Sequence, residues 1–175
     1  SRLGKVTASR VADVMARTKG GVSASRQSYM DQPVVEILTG QRADSFSSAS
    51  MQWGTDTEPL ARAAYEARVG EFADATGFHL HPRIEQSGAS PDGLIGEGLI
   101  EIKAPNSSTH IEYLVSKKVP GKYVIQMTWQ MAVMDRPWCD FLSFDPRMPK
   151  EWQMFLVRVE RDDAHIQMLE AEVEV

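Results

Sequence analysis

The sequence predicts an α/β or α+β protein, and three observations point there. Apolar residues at helical spacing mark both ends of the chain, strand-like segments crowd its middle, and Gly or Pro punctuates the changes between them. No internal repeat is present.

Each element has its own signal. Thr7 is a candidate N-cap for a helix through Val11, Val14 and Met15, which fall on one face at spacings of three and four. A second helix is expected over about residues 28–38, stopping at Thr39-Gly40, where Gly suits a C-cap. A third carries Leu60, Ala61, Ala64 and Tyr65 on one face. Strands are expected over 77–84, 88–94 and 98–102, with Gly96-Glu97-Gly98 as a tight turn joining the last two. Helices follow at about 108–117 and 121–134, strands at 138–144 and 152–160, and a final helix from about Asp162. Residues 20–25 and the Ser-rich stretch 45–50 read as surface loops, too short to link domains.

Composition narrows the classes. The 175 residues suit one domain, and 42% hydrophobic with 25% charged residues is ordinary for a globular chain. No apolar run approaches the ~20 residues that span a bilayer, and no secretory signal is visible at Ser1-Arg2-Leu3-Gly4. The lack of an initiator Met points to residues upstream of Ser1. Cys139 is the only cysteine, which rules out an intrachain disulfide and a cysteine-rich zinc site; a reducing cytoplasm is the expected compartment. A net charge of -5 argues against a passive nucleic-acid coat, but not against an enzyme whose acidic cluster is neutralised by Mg²⁺.

The strongest local signal is Ser90-Pro91-Asp92-Gly93, with Glu101-Ile102-Lys103 beginning nine residues after Asp92. Side chains alternate along a strand, so Leu99, Glu101 and Lys103 share one face and Ile100 and Ile102 the other. A turn at Gly96–Gly98 would bring Asp92 beside Glu101. Two clustered carboxylates repel unless a cation compensates, and a hard divalent ion with oxygen ligands is the usual compensation. Taken singly, Asp-Gly is a common turn dipeptide and Glu-x-Lys a common cross-strand ion pair. Their occurrence at hairpin distance gives them weight.

These residues resemble the core motif of the PD-(D/E)XK nucleases, and their surroundings resemble the phage lambda exonuclease (YqaJ-like viral recombinase) family. Arg2-Leu3-Gly4 with Thr7-Ala8-Ser9 is similar to its opening motif, Trp53-Gly54 with Glu58 to its second, and Ser90-Pro91-Asp92-Gly93 to its third. Gln126, Phe144-Asp145-Pro146-Arg147-Met148 and Val159-Glu160-Arg161-Asp162 extend the likeness over nearly the whole chain.

The resemblance implies a single PD-(D/E)XK domain over residues 1–175, α/β in class, with a twisted mixed sheet flanked by helices. It implies that Asp92, Glu101 and the Ile102 carbonyl bind Mg²⁺, for which Mn²⁺ would substitute, with Glu58 as an additional carboxylate. Lys103 and Gln126 would hold the attacking water, and Arg2 and Ser9 the 5′-phosphate of DNA. The implied activity is 5′-to-3′ hydrolysis of one strand of double-stranded DNA, releasing mononucleotides and leaving a 3′ tail for a single-strand annealing protein. A homotrimeric ring is implied as well, with Lys117, Lys118 and Lys122 as candidates for its channel wall. By themselves, Glu58 reads as an i,i+4 partner of Arg62, Gln126 as a helix-surface amide, and Arg2 as a surface residue beside a capped helix. Pro59 is a departure, since it disfavours helical geometry at Glu58 and belongs in a first turn.

Two rival readings stand beside this one: a sequence-specific endonuclease on the same core, and a catalytically silent DNA- or partner-binding module. The first has no use for a terminal-phosphate pocket, and the second would show a broken acidic motif. His79 and His81 read as a solvated strand face, His110 and His165 as isolated, the nine Met as core filler, and Trp129, Trp138 and Trp152 as buried packing.

Overall fold

The computed structural model describes residues 2–18, 21–22, 24–40 and 48–174. In chain order the elements are β1 (Val6–Thr7), a 3₁₀ turn (Ala8–Arg10), α1 (Val11–Val14), β2 (Arg17–Thr18), β3 (Gly21–Val22), α2 (Ala24–Thr39) and α3 (Ala49–Val69). Then come β4 (His79–Leu80), β5 (Ser87–Ala89), β6 (Gly93–Ile95), β7 (Gly98–Lys103), α4 (Ser107–Ser116) and α5 (Gly121–Met134). The chain continues through β8 (Trp138–Phe144), a 3₁₀ turn (Lys150–Trp152), β9 (Met154–Glu160) and α6 (Asp163–Val173).

The main sheet has the order β6-β7-β8-β9. The β6/β7 and β8/β9 pairs are antiparallel, and β7/β8 is parallel with Glu101 opposite Phe141. A parallel pair needs a crossover, and α4 with α5 supplies it. β1, β5 and β4 form a smaller sheet, and β2 pairs with β3.

Alternation along β7 sorts its side chains onto two cores. Ile100 and Ile102 pack with Ala61 and Tyr65 of α3, Leu142 and Phe144. Leu99 packs on the other face with Tyr113 of α4, Met127 and Met131 of α5, and Phe141. Burying each such side chain contributes roughly 1.5–3 kcal/mol, enough in sum to hold a few buried acids in place. A third cluster joins Val6, Ala8 and Val11 to Trp129 of α5 and Leu169 of α6. Among the described residues, no helix is long and apolar enough to cross a membrane.

Several expectations are corrected. The 77–84 segment is a strand only at His79–Leu80, because Pro82 follows and the His81 Nδ1 accepts from the main-chain N–H groups of Arg83 and Ile84 at 3.2 and 3.1 Å. The 88–94 strand is broken between Ala89 and Gly93, and its halves join different sheets. Thr7 caps no helix with its side chain; its hydroxyl lies 3.2 Å from that of Ser9. Residues 45–47 of the Ser-rich stretch lie outside the described residues, and Ser48 caps α3 by accepting from Met51 N at 3.2 Å. In the 20–25 stretch, residues 20 and 23 also lie outside them, whereas Gly21–Val22 pair with β2 and α2 begins at Ala24.

Pro59 stands inside α3, so Glu58 is helical after all. Packing of Ala61 and Tyr65 against the sheet outweighs the ~3 kcal/mol cost of an interior proline. His81 is buried, stacks on Trp129 at 4.8 Å and lies 3.1 Å from Glu170, so it faces no solvent. His110 is not isolated, since it is buried between the Ser143 hydroxyl (2.7 Å) and the Trp152 carbonyl (2.8 Å). Trp152 itself is 53% exposed, contrary to the buried packing expected of it.

Candidate active site

The β6–β7 hairpin builds the site. Gly96, at φ +50°, takes the left-handed turn that lets Gly93 pair with Ile100. Asp92 is thereby carried alongside the end of β7, where its Oδ2 accepts from the Ile102 N–H at 2.6 Å. Gly93 is needed for a second reason: a Cβ there would stand 2.9 Å from Arg62 Nη1 and 3.1 Å from Ile100 Cγ2. Its absence lets the Arg62 guanidinium reach the Asp92 carbonyl, to which it donates.

Glu101 is 2% exposed, yet both of its carboxylate oxygens are hydrogen-bonded. Its Oε1 accepts from Lys103 Nζ at 2.6 Å and Gln126 Nε2 at 2.8 Å, and its Oε2 accepts from Gln130 Nε2 at 2.7 Å. Lys103 also lies 4.8 Å over the Tyr123 ring. Burial, and then the charge of Glu101, push the Asp92 carboxyl up to about 8. For Lys103, burial opposes the charged form, but Glu101 and Asp92 outweigh it and raise the ammonium above its ordinary value. The site thus holds two carboxyl groups against one ammonium, and Asp92 retains its proton until a cation replaces it.

A cleft of about 520 Å³ opens on this group, lined by Glu58, Ile102, Lys103, Pro105 and Tyr123 among others. Glu58 lies in its wall and is bonded to Arg62 at 3.3 Å, the i,i+4 pair read from its spacing; its charge also adds to the upward pressure on Asp92. Gln126 is 7% exposed, so the helix-surface reading is corrected.

Among the described residues, no three His, Cys, Asp or Glu side chains converge to hold an ion by themselves. The donors present are the Asp92 and Glu101 oxygens, with the Ile102 main chain in the cleft wall. This set of hard oxygens, short of saturation, fits Mg²⁺, which keeps water and phosphate among its ligands; it suits neither zinc nor copper. The proton affinity of Asp92 fits as well: burial causes most of it, and a bound cation would compensate both the burial and the repulsion from Glu101 that adds to it.

Arg2 and Ser9 meet elsewhere, in a separate cavity of about 280 Å³ that Lys5, Arg10 and Glu36 also line. The 3₁₀ turn carrying Ser9 packs on α5, the helix that carries Gln126 and Gln130. Sequence reasoning missed Lys5 and Arg10 in the cavity, Tyr123 at the cleft, and Arg62 and Gln130 as the partners of Asp92 and Glu101. Gln130 had a usable signal, because it stands one helical turn after Gln126. Arg62 was seen only as a partner of Glu58; nothing local indicates its reach to Asp92.

The profile of the YqaJ-like viral recombinase domain matches residues 1–137. The fold is similar to that of an alkaline exonuclease, LHK-Exo from Laribacter hongkongensis, at 52% identity and TM-score 0.92, covering 99% of this chain and 86% of that one. A structure of LHK-Exo in complex with dAMP matches at 53% identity and TM-score 0.91, covering 98% and 85%. A phage-related exonuclease from Haemophilus somnus 129PT, at 17% identity and TM-score 0.76 over 97% and 90% of the two chains, shares the fold. No curated protein matches the chain significantly.

Proposed function

The chain belongs to the YqaJ-like viral recombinase family, and we propose that it is a Mg²⁺-dependent exonuclease digesting one strand of duplex DNA from its 5′ end. That it is a deoxyribonuclease with a PD-(D/E)XK-type fold follows from the family and from its likeness to alkaline exonucleases. The observation that carries the finer reading is the cluster of Asp92, Glu101 and Lys103, whose lysine lines one cleft together with Glu58 and Ile102.

Asp92, Glu101 and the Ile102 carbonyl would hold Mg²⁺ or Mn²⁺, with Glu58 as a further carboxylate. When bound, such an ion polarises the scissile phosphate and makes a water more acidic. The chain's own residues do the rest. Lys103, kept charged by Glu101, stands where it can exchange that carboxylate for the attacking water or a phosphate oxygen. Gln126 shares the same Glu101 oxygen and would supply a neutral donor beside the charged Lys103 to orient the water. Arg62 holds the Asp92 backbone and Glu58 in register.

Directionality rests on the second cavity. Arg2, Lys5 and Arg10 place three cations around Ser9, with Glu36 beside them and Asp13 paired to Arg10 at 3.0 Å, a cationic excess that suits a terminal 5′-phosphate. Release of 5′-mononucleotides is consistent with the dAMP bound by LHK-Exo. The remaining parts of the reading are a single domain over residues 1–175, a cytoplasmic setting, a homotrimeric ring and delivery of the 3′ tail to a single-strand annealing protein. The structural relatives match 98–99% of the chain, which supports the single domain. Lys117, Lys118 and Lys122 are exposed around the α4–α5 turn, as channel-wall residues must be.

The test is digestion of linear against circular duplex DNA, with and without EDTA. Linear-only cleavage that EDTA abolishes is expected; rapid nicking of the circle, or full activity in EDTA, refutes the proposal. A 5′-phosphorylated end should be digested faster than a 5′-hydroxyl end, and Arg2→Ala should shrink the difference. Equal rates on both ends in the wild type return Arg2 and Ser9 to a structural role.

A further inference from the structure

The partners of Glu101 divide unevenly between its oxygens. Oε1 takes both Lys103 (2.6 Å) and Gln126 (2.8 Å), whereas Oε2 takes Gln130 alone (2.7 Å). A carboxylate offers about four lone-pair positions, so three are occupied and the fourth lies on Oε2. Gln130 is fully buried on α5 between Met127 and Met131, and its own carbonyl oxygen faces the Cys139 thiol at 3.9 Å.

A core position flanked in this way would be filled more simply by a third methionine. Methionine is close to glutamine in volume and brings no polar group that must be satisfied. An amide at this position therefore needs a reason, and its N–H bond to Glu101 is the one the structure offers.

We infer that Gln130 is a positioning residue for Glu101, anchoring the oxygen that remains open to a cation. Lys103 and Gln126, both on Oε1, are then the donors free to change partners during turnover. This division rests on the reading that Asp92 and Glu101 hold a divalent ion. Hydrogen bonds that orient a ligand carboxylate typically govern metal affinity by roughly 10- to 100-fold.

The experiment is calorimetric titration of the full chain with Ca²⁺, which binds oxygen sites without supporting efficient turnover. Wild type, Gln130→Met and Gln126→Met are compared, with Tm in EDTA and with kcat and KM on a 5′-phosphorylated duplex. Gln130→Met should keep its Tm and weaken Ca²⁺ roughly 10- to 100-fold, and the Mg²⁺ needed for half-maximal rate should rise by a similar factor. At saturating Mg²⁺ its kcat should recover and its KM for DNA stay near wild type. Gln126→Met should show the reverse, a kcat deficit that saturating Mg²⁺ does not repair. If Gln130→Met fails to fold, Gln130→Asn, which keeps the amide but withdraws it by one methylene, must weaken Ca²⁺ likewise. Wild-type Ca²⁺ affinity in a folded Gln130 variant overturns the inference. A wild type that binds no Ca²⁺ at millimolar concentration refutes instead the metal reading beneath it.

Discussion

Buried acids occur in two settings in this molecule, and they are balanced differently. Asp140 and Asp145, on and just after β8, are each answered by an arginine fork. Asp140 accepts from Arg158 Nε and Nη2 at 2.8 and 3.1 Å and from the Tyr65 hydroxyl at 2.7 Å. Asp145 accepts from Arg147 Nε and Nη2 at 2.8 and 3.1 Å and from Ser107 at 2.6 Å. Both arginines lie over aromatic rings, Arg158 on Trp138 at 3.5 Å and Arg147 on Trp53 at 4.2 Å. At the end of β7, by contrast, Asp92 and Glu101 share one ammonium, and the remaining side-chain donors to Glu101 are neutral amides. Burial of an acid is therefore no guide to function; an unbalanced charge is. The Asp140 and Asp145 clusters are electrically closed and staple elements together, while the β7 cluster has one carboxyl more than its lysine answers, and a cation can take the place of the proton that Asp92 otherwise holds.

The comparison makes its largest prediction at the unbalanced cluster. On the proposed function, Asp92→Asn, Glu101→Gln and Lys103→Ala should each lower kcat by ~10²-fold or more, because the acids would hold the cation and Lys103 would stabilise the charge on the reacting phosphate. Asp92→Asn should keep or raise its Tm in EDTA, because it removes a charge that Glu101 repels. Glu101→Gln and Lys103→Ala, in contrast, break the buried Glu101–Lys103 pair and should lower Tm as well. A Lys103→Ala enzyme retaining more than about a tenth of wild-type kcat sinks the role given to Lys103.

Asp140→Ala should do the opposite. Breaking a buried pair costs about 3–5 kcal/mol, and water around the half-exposed Arg158 places this one at roughly 3 kcal/mol. For a chain of this size that is a Tm loss of about 6–12 °C, with kcat at 25 °C within about threefold of wild type. Calorimetry beside a steady-state assay separates the two clusters, and a large kcat loss without a Tm loss would merge them.

The smallest effect is a pH dependence. Burial alone would raise Asp145, but hydrogen bonds from Arg147 and Ser107 hold its carboxyl at about 2, below the ordinary 3.8. A depressed folded-state value contributes stability above the unfolded value and loses it as pH falls through the folded one. The wild type should therefore lose this contribution between about pH 4 and pH 2. Arg147→Met should lie below wild type in Tm at pH 6 and approach it by pH 2. A constant gap across that range would mean that Arg147 acts through its stacking on Trp53 rather than through charge.

Much of this arrangement is legible in the chain. Strand alternation places Glu101 with Lys103, the Gly96 turn brings Asp92 back, and the helical periods of 108–117 and 121–134 correspond to α4 and α5. The segment before β6 is less legible. Nothing local says that Ser87–Ala89 and Gly93–Ile95 belong to different sheets, because both partners of β5 are distant or short. Gln126 shows the same limit, since an amide on a helix reads as surface until the carboxylate it serves is packed against it.

Sequence by itself determined which residues alternate on β7, where the hairpin turns and which acids and bases exist to be paired, because these follow from local backbone geometry and residue chemistry. Tertiary structure decided how the charges balance. Arg158 went to Asp140, Arg147 to Asp145 and Arg62 to a main-chain carbonyl, leaving Asp92 and Glu101 with a single lysine. Arg147 and Asp145 stand two residues apart. The reach of Arg158 to Asp140 and of Arg62 to Asp92, however, spans 18 and 30 residues, depends on packing between helices and sheet, and follows from no local rule.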